Sequence, residues 1–110
     1  MKVHLISRQT VMNFASKHTR GKVSFEDWLQ KLKTADWEQA NDIKSTFRSA
    51  DLLGNGSKRV VFDIAGNSYR VICKYAFGEK EVHLFVCWIG THAEYDKLCK
   101  DNNQYSVCSY

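Results

Sequence analysis

The chain contains no proline, and its four cysteines, Cys73, Cys87, Cys99 and Cys108, include no C-x-x-C pair. The first absence leaves no proline-rich linker or recognition segment. The second leaves no zinc finger or ribbon, whose ligands come in closely spaced pairs. The cysteines read as free thiols of a reducing compartment. No run approaches the roughly 20 apolar residues of a membrane span, and MKVHLISRQT has no apolar stretch long enough for a secretory signal. The expected location is therefore cytoplasmic, with no membrane partner. A phosphate loop is missing too: GNGSK precedes a strand pattern, does not link a strand to a helix, and lacks the G-x4-G-K-[ST] spacing.

What remains is an ordinary globular composition, 44% hydrophobic and 25% charged, in 110 residues, the size of one domain. Sixteen basic against twelve acidic residues leave a net charge of +4. That balance favours an anionic partner only modestly, so the placement of the charges has to decide.

Val3 to Ile6 reads as a first strand, followed by a helical pattern in SRQTVMNFASKH with Ser7 as a plausible cap. SFEDWLQKLKTA places Phe25, Trp28, Leu29 and Leu32 on one helical face starting at Ser24. DWEQANDIKSTF, with Trp37, Ala40, Lys44 and Phe47 near one face, predicts a third helix or a continuation. SADLLGNGSKR reads as a loop by its Gly, Asn and Ser content. RVVFDI, SYRVICKYAF and EVHLFVCWI then form short β-rich runs joined by AGN and GEK, an antiparallel meander. THAEYDKLCK opens with Thr91 and carries Glu94 three residues on, a capping box that predicts a short helix. The stretch 101–110, DNNQYSVCSY, is polar and aperiodic and is expected to be a flexible tail.

Two clusters could carry chemistry. Strand alternation puts Arg70 and Lys74 on one face, about 13 Å apart by strand rise, the opposite face from Tyr69, Val71, Cys73, Tyr75 and Phe77. On the terminal helix His92, Tyr95 and Asp96 fall at i, i+3 and i+4, one stripe. Taken singly, the cations read as a solvated face, and the stripe as a packed tyrosine beside a solvated histidine and a bridged aspartate. Taken together they suit cleavage of RNA by its own 2′-hydroxyl: a base removes the proton, cations stabilise the phosphorane and an acid protonates the leaving 5′-oxygen. Histidine titrates near neutrality, whereas tyrosine, near pH 10, would need neighbouring cations such as Arg70 and Lys74 to act as a base. The scheme needs no metal or other cofactor. A metal-dependent phosphodiesterase using His92 and Asp96 is a weaker alternative.

At VVFDIAGNSYRVICK and WIGTHAEYDKL the chain resembles the HigB family of bacterial toxins, within the RelE superfamily of ribosome-dependent mRNA interferases. SADLLGN and the tryptophans of the second and third helices support the resemblance, which runs from Leu5 to about Leu98. It implies a compact single α+β domain over 1–100. In that fold an antiparallel twisted sheet of about four strands carries two or three N-terminal helices on one face and a short C-terminal helix. It also implies an endonuclease that cuts mRNA in the ribosomal A site. A helix-turn-helix antitoxin of the HigA type would silence it in a hetero-oligomer.

By the same resemblance His92, Tyr95, Asp96 and Arg70 would be catalytic, with acid and base left unassigned, and Lys74 would hold phosphate. The motif departs at one place: where many relatives carry an arginine before WIGTHAEYD, this chain has Cys87. Arg59 or Lys58 would then supply the missing charge to RNA, or the chain would be a weaker nuclease, or the position would not be catalytic. A module that binds RNA or ribosomes without cutting is the alternative function.

Overall fold

The computed structural model describes residues 1–110. Along the chain run β1 (Lys2–Ile6), α1 (Arg8–Lys17), α2 (Lys22–Thr34), α3 (Asp42–Thr46), β2 (Asp51–Leu53), β3 (Arg59–Ile64), β4 (Tyr69–Phe77), β5 (Glu81–Thr91) and α4 (His92–Lys100). Short 3-10 turns lie at Thr19–Gly21 and Asn103–Tyr105. The strands form one sheet in the order β1-β5-β4-β3-β2. From β2 to β5 it is an antiparallel meander, while β1 lies parallel to β5 with Val3 opposite Val82 and Leu5 opposite Leu84.

The α+β single domain is as expected, but the sheet corrects the expectation in two ways. It has five strands and is mixed, not an antiparallel sheet of about four. And Leu52 and Leu53, read within a loop, pair with Val60 and Arg59 as part of β2. A three-residue strand is too short to show alternation. The partner of β1 lies three helices and three strands downstream, where local patterning carries no signal.

The main core lies between the sheet and α1 to α3. Phe25, Trp28, Leu29 and Leu32 on one stripe of α2 meet Val60, Phe62 and Ile64 of β3, Val71 and Cys73 of β4, and Val82, Leu84 and Val86 of β5. The third helix is shorter than expected, and Trp37 is buried ahead of it, its indole N–H donating to Thr46 Oγ1 at 2.9 Å. Ser7 sits at the cap position of α1 but has a left-handed φ of 72° and makes no side-chain cap bond. At Gly21 a Cβ would stand 2.5 and 2.8 Å from the Tyr69 ring, which packs against Phe25 and Phe14. Gly21→Ala is expected to lower unfolding stability by about 1–3 kcal/mol, as overpacking of a core does, measured by urea titration.

The other face of the sheet carries a smaller cluster, Val61, Ile72 and Cys87, covered by Tyr95 and Leu98 of α4 and by Val107. A register shift creates it. Ile72 pairs with Trp88 but Cys73 pairs with Val86, so Cys87 is an extra residue and both Cys87 and Trp88 turn toward α4.

Residues 101–110, expected as a flexible tail, are hydrogen-bonded to the sheet. Arg59 Nη1 donates to the carbonyls of Gln104 and Val107 at 3.2 and 2.6 Å, and the Ser109 N–H donates to the Cys87 carbonyl at 2.8 Å. The aperiodic sequence hid this because its anchors are backbone groups and two scattered side chains, the buried Gln104 and Val107.

Candidate active site

Where β5 ends and α4 begins, the capping box forms as the spacing predicts. The Glu94 N–H donates to Thr91 Oγ1, and the Thr91 N–H donates to Glu94 Oε1 at 2.8 Å. The α4 axis is thereby aimed so that its first turn stands beside the β3–β4 hairpin, where the His92 N–H donates to the Ser68 carbonyl at 3.0 Å. Gly90 makes room for this turn of chain. A Cβ there would clash with the Trp88 ring and lie 3.2 Å from Glu94 Oε1.

Arg70 lies opposite Gly90 on one side and Asp63 on the other. The residue is only 8% exposed, and its guanidinium is held from several directions. Nε donates to Asp63 Oδ1 at 3.0 Å, Nη1 to its neighbour's carbonyl at Tyr69 at 3.2 Å, and Nη2 to Asn67 Oδ1 at 3.0 Å. Nη2 also donates to His92 Nδ1 at 2.9 Å, and the guanidinium carbon stands 5.8 Å from the centre of the Tyr95 ring. A guanidinium has five N–H donors, so this one has little left for a ligand unless a contact opens.

The same bond assigns the histidine tautomer. Guanidinium cannot accept, so His92 Nδ1 is the acceptor and the ring proton sits on Nε2. Nε2 then donates to Asp96 Oδ2 at 3.2 Å, completing a chain Asp63–Arg70–His92–Asp96 across three elements. The buried end is Arg70; the open end is His92 and Asp96, whose side chains are 47% and 59% exposed.

Tyr95 sits differently. It packs near Trp88 with ring centres 6.1 Å apart and joins the Val61–Ile72–Cys87 cluster. Burial, with Cys99 one turn on adding to it, pushes its phenol well above the ordinary value, and the opposing pull of Arg70 is the smaller effect. Burial outweighs the cation here: the pull of Arg70 does not bring the Tyr95 phenol down toward the range of a base.

The sequence-predicted residues are thus brought together in part. Arg70, His92, Tyr95 and Asp96 form one group. Lys74 shares the Arg70 face of β4 and is exposed. Arg59 shares that face too but is 7% exposed and engaged by the tail carbonyls, and Lys58 is an exposed residue at the mouth of β3 with φ of 54°. Cys87, 4% exposed, lies against Val61 and Ile72, where burial pushes its thiol up. An arginine at 87 would have to displace Val107, so Cys87→Arg is expected to free the tail, read as faster proteolysis of residues 103–110 than in the parent.

Asp63 and Asn67 are the residues that sequence reasoning missed. A signal for Asp63 existed: the short AGN connection sets Ile64 opposite Tyr69 and so Asp63 opposite Arg70. Ala65 and Gly66, both with positive φ at 55° and 64°, shape that turn. No three His, Cys, Asp or Glu side chains converge in the way a metal site requires. No helix is long and apolar enough to cross a membrane.

The chain is similar to known proteins over most of its length. A family profile described as HigB_toxin, the RelE-like toxic component of a toxin-antitoxin system, matches residues 21–98. The chain is 30% identical over 98 residues to the mRNA interferase HigB of Escherichia coli O6:H1, covering 89% of this chain and 93% of that one. It is 24% identical over 94 residues to the mRNA interferase toxin HigB of Escherichia coli K12, covering 86% and 88%, and matches the mRNA interferase HigB of Shigella flexneri equally. With the profile spanning most of the domain and the first of these relatives matched over nearly its full length, the chain belongs to the HigB toxin family, the RelE-like toxic half of a toxin-antitoxin system.

Proposed function

We propose that this protein is an mRNA interferase, an endoribonuclease that cuts translated mRNA in the ribosomal A site. In this reading it arrests growth until a HigA-type helix-turn-helix antitoxin binds it in a hetero-oligomer. Membership of a family whose relatives are named mRNA interferases supports the reaction class. The observation that carries the site is the Arg70–His92–Asp96 chain, a histidine whose two ring nitrogens are both engaged at the edge of a basic sheet face.

The chemistry follows from that arrangement. The scissile phosphate draws the Arg70 guanidinium toward its oxygens, and the Nδ1 lone pair of His92 is released. Nδ1 takes the 2′-hydroxyl proton, the 2′-oxygen attacks phosphorus, and Asp96 stabilises the imidazolium through Nε2. Arg70 bears on the charge developing on the phosphorane. As the phosphorus–5′-oxygen bond breaks, the imidazolium returns the proton to the departing oxygen. The products are a 2′,3′-cyclic phosphate and a 5′-hydroxyl end. Tyr95, neutral and packed beneath Arg70, supports the guanidinium and leaves the proton transfers to His92. Lys74 adds positive potential along the strand that the RNA follows.

The extensive engagement of Arg70 also favours a second reading, a module of the same fold that holds RNA or ribosomes without cutting. Controlled expression in a bacterial host separates the two. The nuclease predicts growth arrest, loss of full-length transcripts, and rescue of both by a co-expressed HigA-type antitoxin. The binding module predicts intact transcripts throughout.

A further inference from the structure

The part of the sheet that α4 and the tail leave open carries a row of rings that the catalytic reading does not use. On β5, beyond the bulge, His83 and Phe85 point to the same side as Lys74 and Arg70, since Phe85 pairs with Lys74 and His83 with Ala76. Their ring centres are 6.3 Å apart. His4 of β1, paired with His83, continues the row at 6.0 Å. Phe85 is 39% exposed although it sits mid-strand between apolar Val86 and Leu84, both buried on the other face. Glu81 Oε1 accepts from His83 Nε2 at 2.8 Å and holds that ring in place; it is the acid of this otherwise basic and aromatic strip.

We propose that this strip is a stacking subsite for single-stranded RNA, with one unpaired base laid on Phe85, a second reaching His83, and Lys74 holding the intervening phosphate. The proposal rests on the reading of this sheet face as the RNA side of the site. Three observations carry it. The ring of Phe85 and the ammonium stem of Lys74 start from directly opposed positions of neighbouring strands, about 5 Å apart at Cβ, so a base on the ring and the phosphate next to it fall within reach of both. Ala76 beside His83 leaves the sheet surface open above it, so a planar group can approach. Ile72 and Cys87, the next residues of this face toward Arg70, are buried under α4 and Val107, whereas Lys74 and Phe85 are exposed, so the strip begins where that cover ends. Stacking on an aromatic face tolerates any base, so the subsite would hold the strand in line without choosing its sequence.

The test uses the full chain carrying His92→Ala, so that the probe survives, and a short mixed-sequence single-stranded RNA read by fluorescence anisotropy. Adding Phe85→Ala is expected to weaken single-strand binding about tenfold, within the range for one stacked base, and Phe85→Tyr to restore it. Adding Lys74→Ala is expected to flatten the salt dependence of binding. The same RNA annealed to its complement is expected to bind equally with and without Phe85, because its bases are already stacked. Unchanged single-strand affinity in Phe85→Ala, or an equal loss for the duplex, would overturn the proposal. So would a loss confined to antitoxin binding, which would make the strip a protein interface. Binding is measured apart from cleavage: a Phe85 effect on binding together with a parent chain, His92 intact, that cuts no mRNA would defeat the nuclease reading and leave the subsite standing.

Discussion

His92→Ala is expected to slow mRNA cleavage by roughly 10²- to 10⁴-fold, the span a positioned acid-base group contributes. The expectation rests on how the imidazole is held. Nδ1 accepts from Arg70 and Nε2 donates to Asp96, so the ring has one orientation and one tautomer before substrate arrives. Alanine removes the imidazole that carries both proton transfers in this mechanism. Because the side chain is about half exposed, its loss is expected to leave the fold intact, with an unchanged urea midpoint. Asp96→Asn is expected to cost less: an amide oxygen still accepts from Nε2, but the negative charge that stabilises the imidazolium is gone.

Arg70→Lys is expected to be nearly as damaging to cleavage, about 10²-fold, despite keeping the charge. A lysine ammonium is a point donor and cannot reach Asp63, Asn67, the Tyr69 carbonyl and His92 together, as the guanidinium fork does. His92 then loses the bond that fixes its tautomer, and the phosphate loses its planar partner. Unlike His92→Ala, this change is also expected to lower stability, by about 2 kcal/mol. The Asp63 pair is mostly buried on the arginine side but open on the aspartate side, so the cost falls below the 3–5 kcal/mol of a fully buried broken pair. Cleavage by single-turnover kinetics and stability by urea titration, run on the same preparations, separate the two effects. Asp63→Asn is expected to reproduce a fraction of both.

Much of this site could be read from residue spacing. Thr91 and Glu94 announced their helix because a capping box is a local device, satisfied by four consecutive residues. The grouping of His92, Tyr95 and Asp96 follows from helical period, and the shared face of Arg70 and Lys74 from strand alternation. What spacing could not supply was the joining of the two groups, which depends on the turn at Ala65–Gly66 and on the β5–α4 junction over Gly90.

The burial of Tyr95 was illegible for a related reason. Its cationic neighbour is visible in the sequence, but the burial that outweighs Arg70 belongs to the cluster of Val61, Ile72 and Cys87, to which Trp88 also turns because Cys87 is an extra residue in β5. The position of Cys87 is itself explained by the bulge: it fills a small apolar cluster under the tail. Arg59, which with Lys58 was one possible source of the missing charge toward RNA, is turned to the carbonyls of Gln104 and Val107. The parallel pairing of β1 with β5 joins residues some 80 positions apart, beyond the reach of any local pattern.

The central claim is that Arg70, His92 and Asp96 make this HigB-family chain a nuclease acting on ribosome-bound message. It is tested most directly by mapping 5′ ends of a defined mRNA in a purified translation system, with the parent chain and with His92→Ala. The account predicts new 5′-hydroxyl ends within codons for the parent when ribosomes are translating, and none above background for His92→Ala. Equal cutting by the two chains, or a parent that leaves the message whole while ribosomes translate it, would contradict the account.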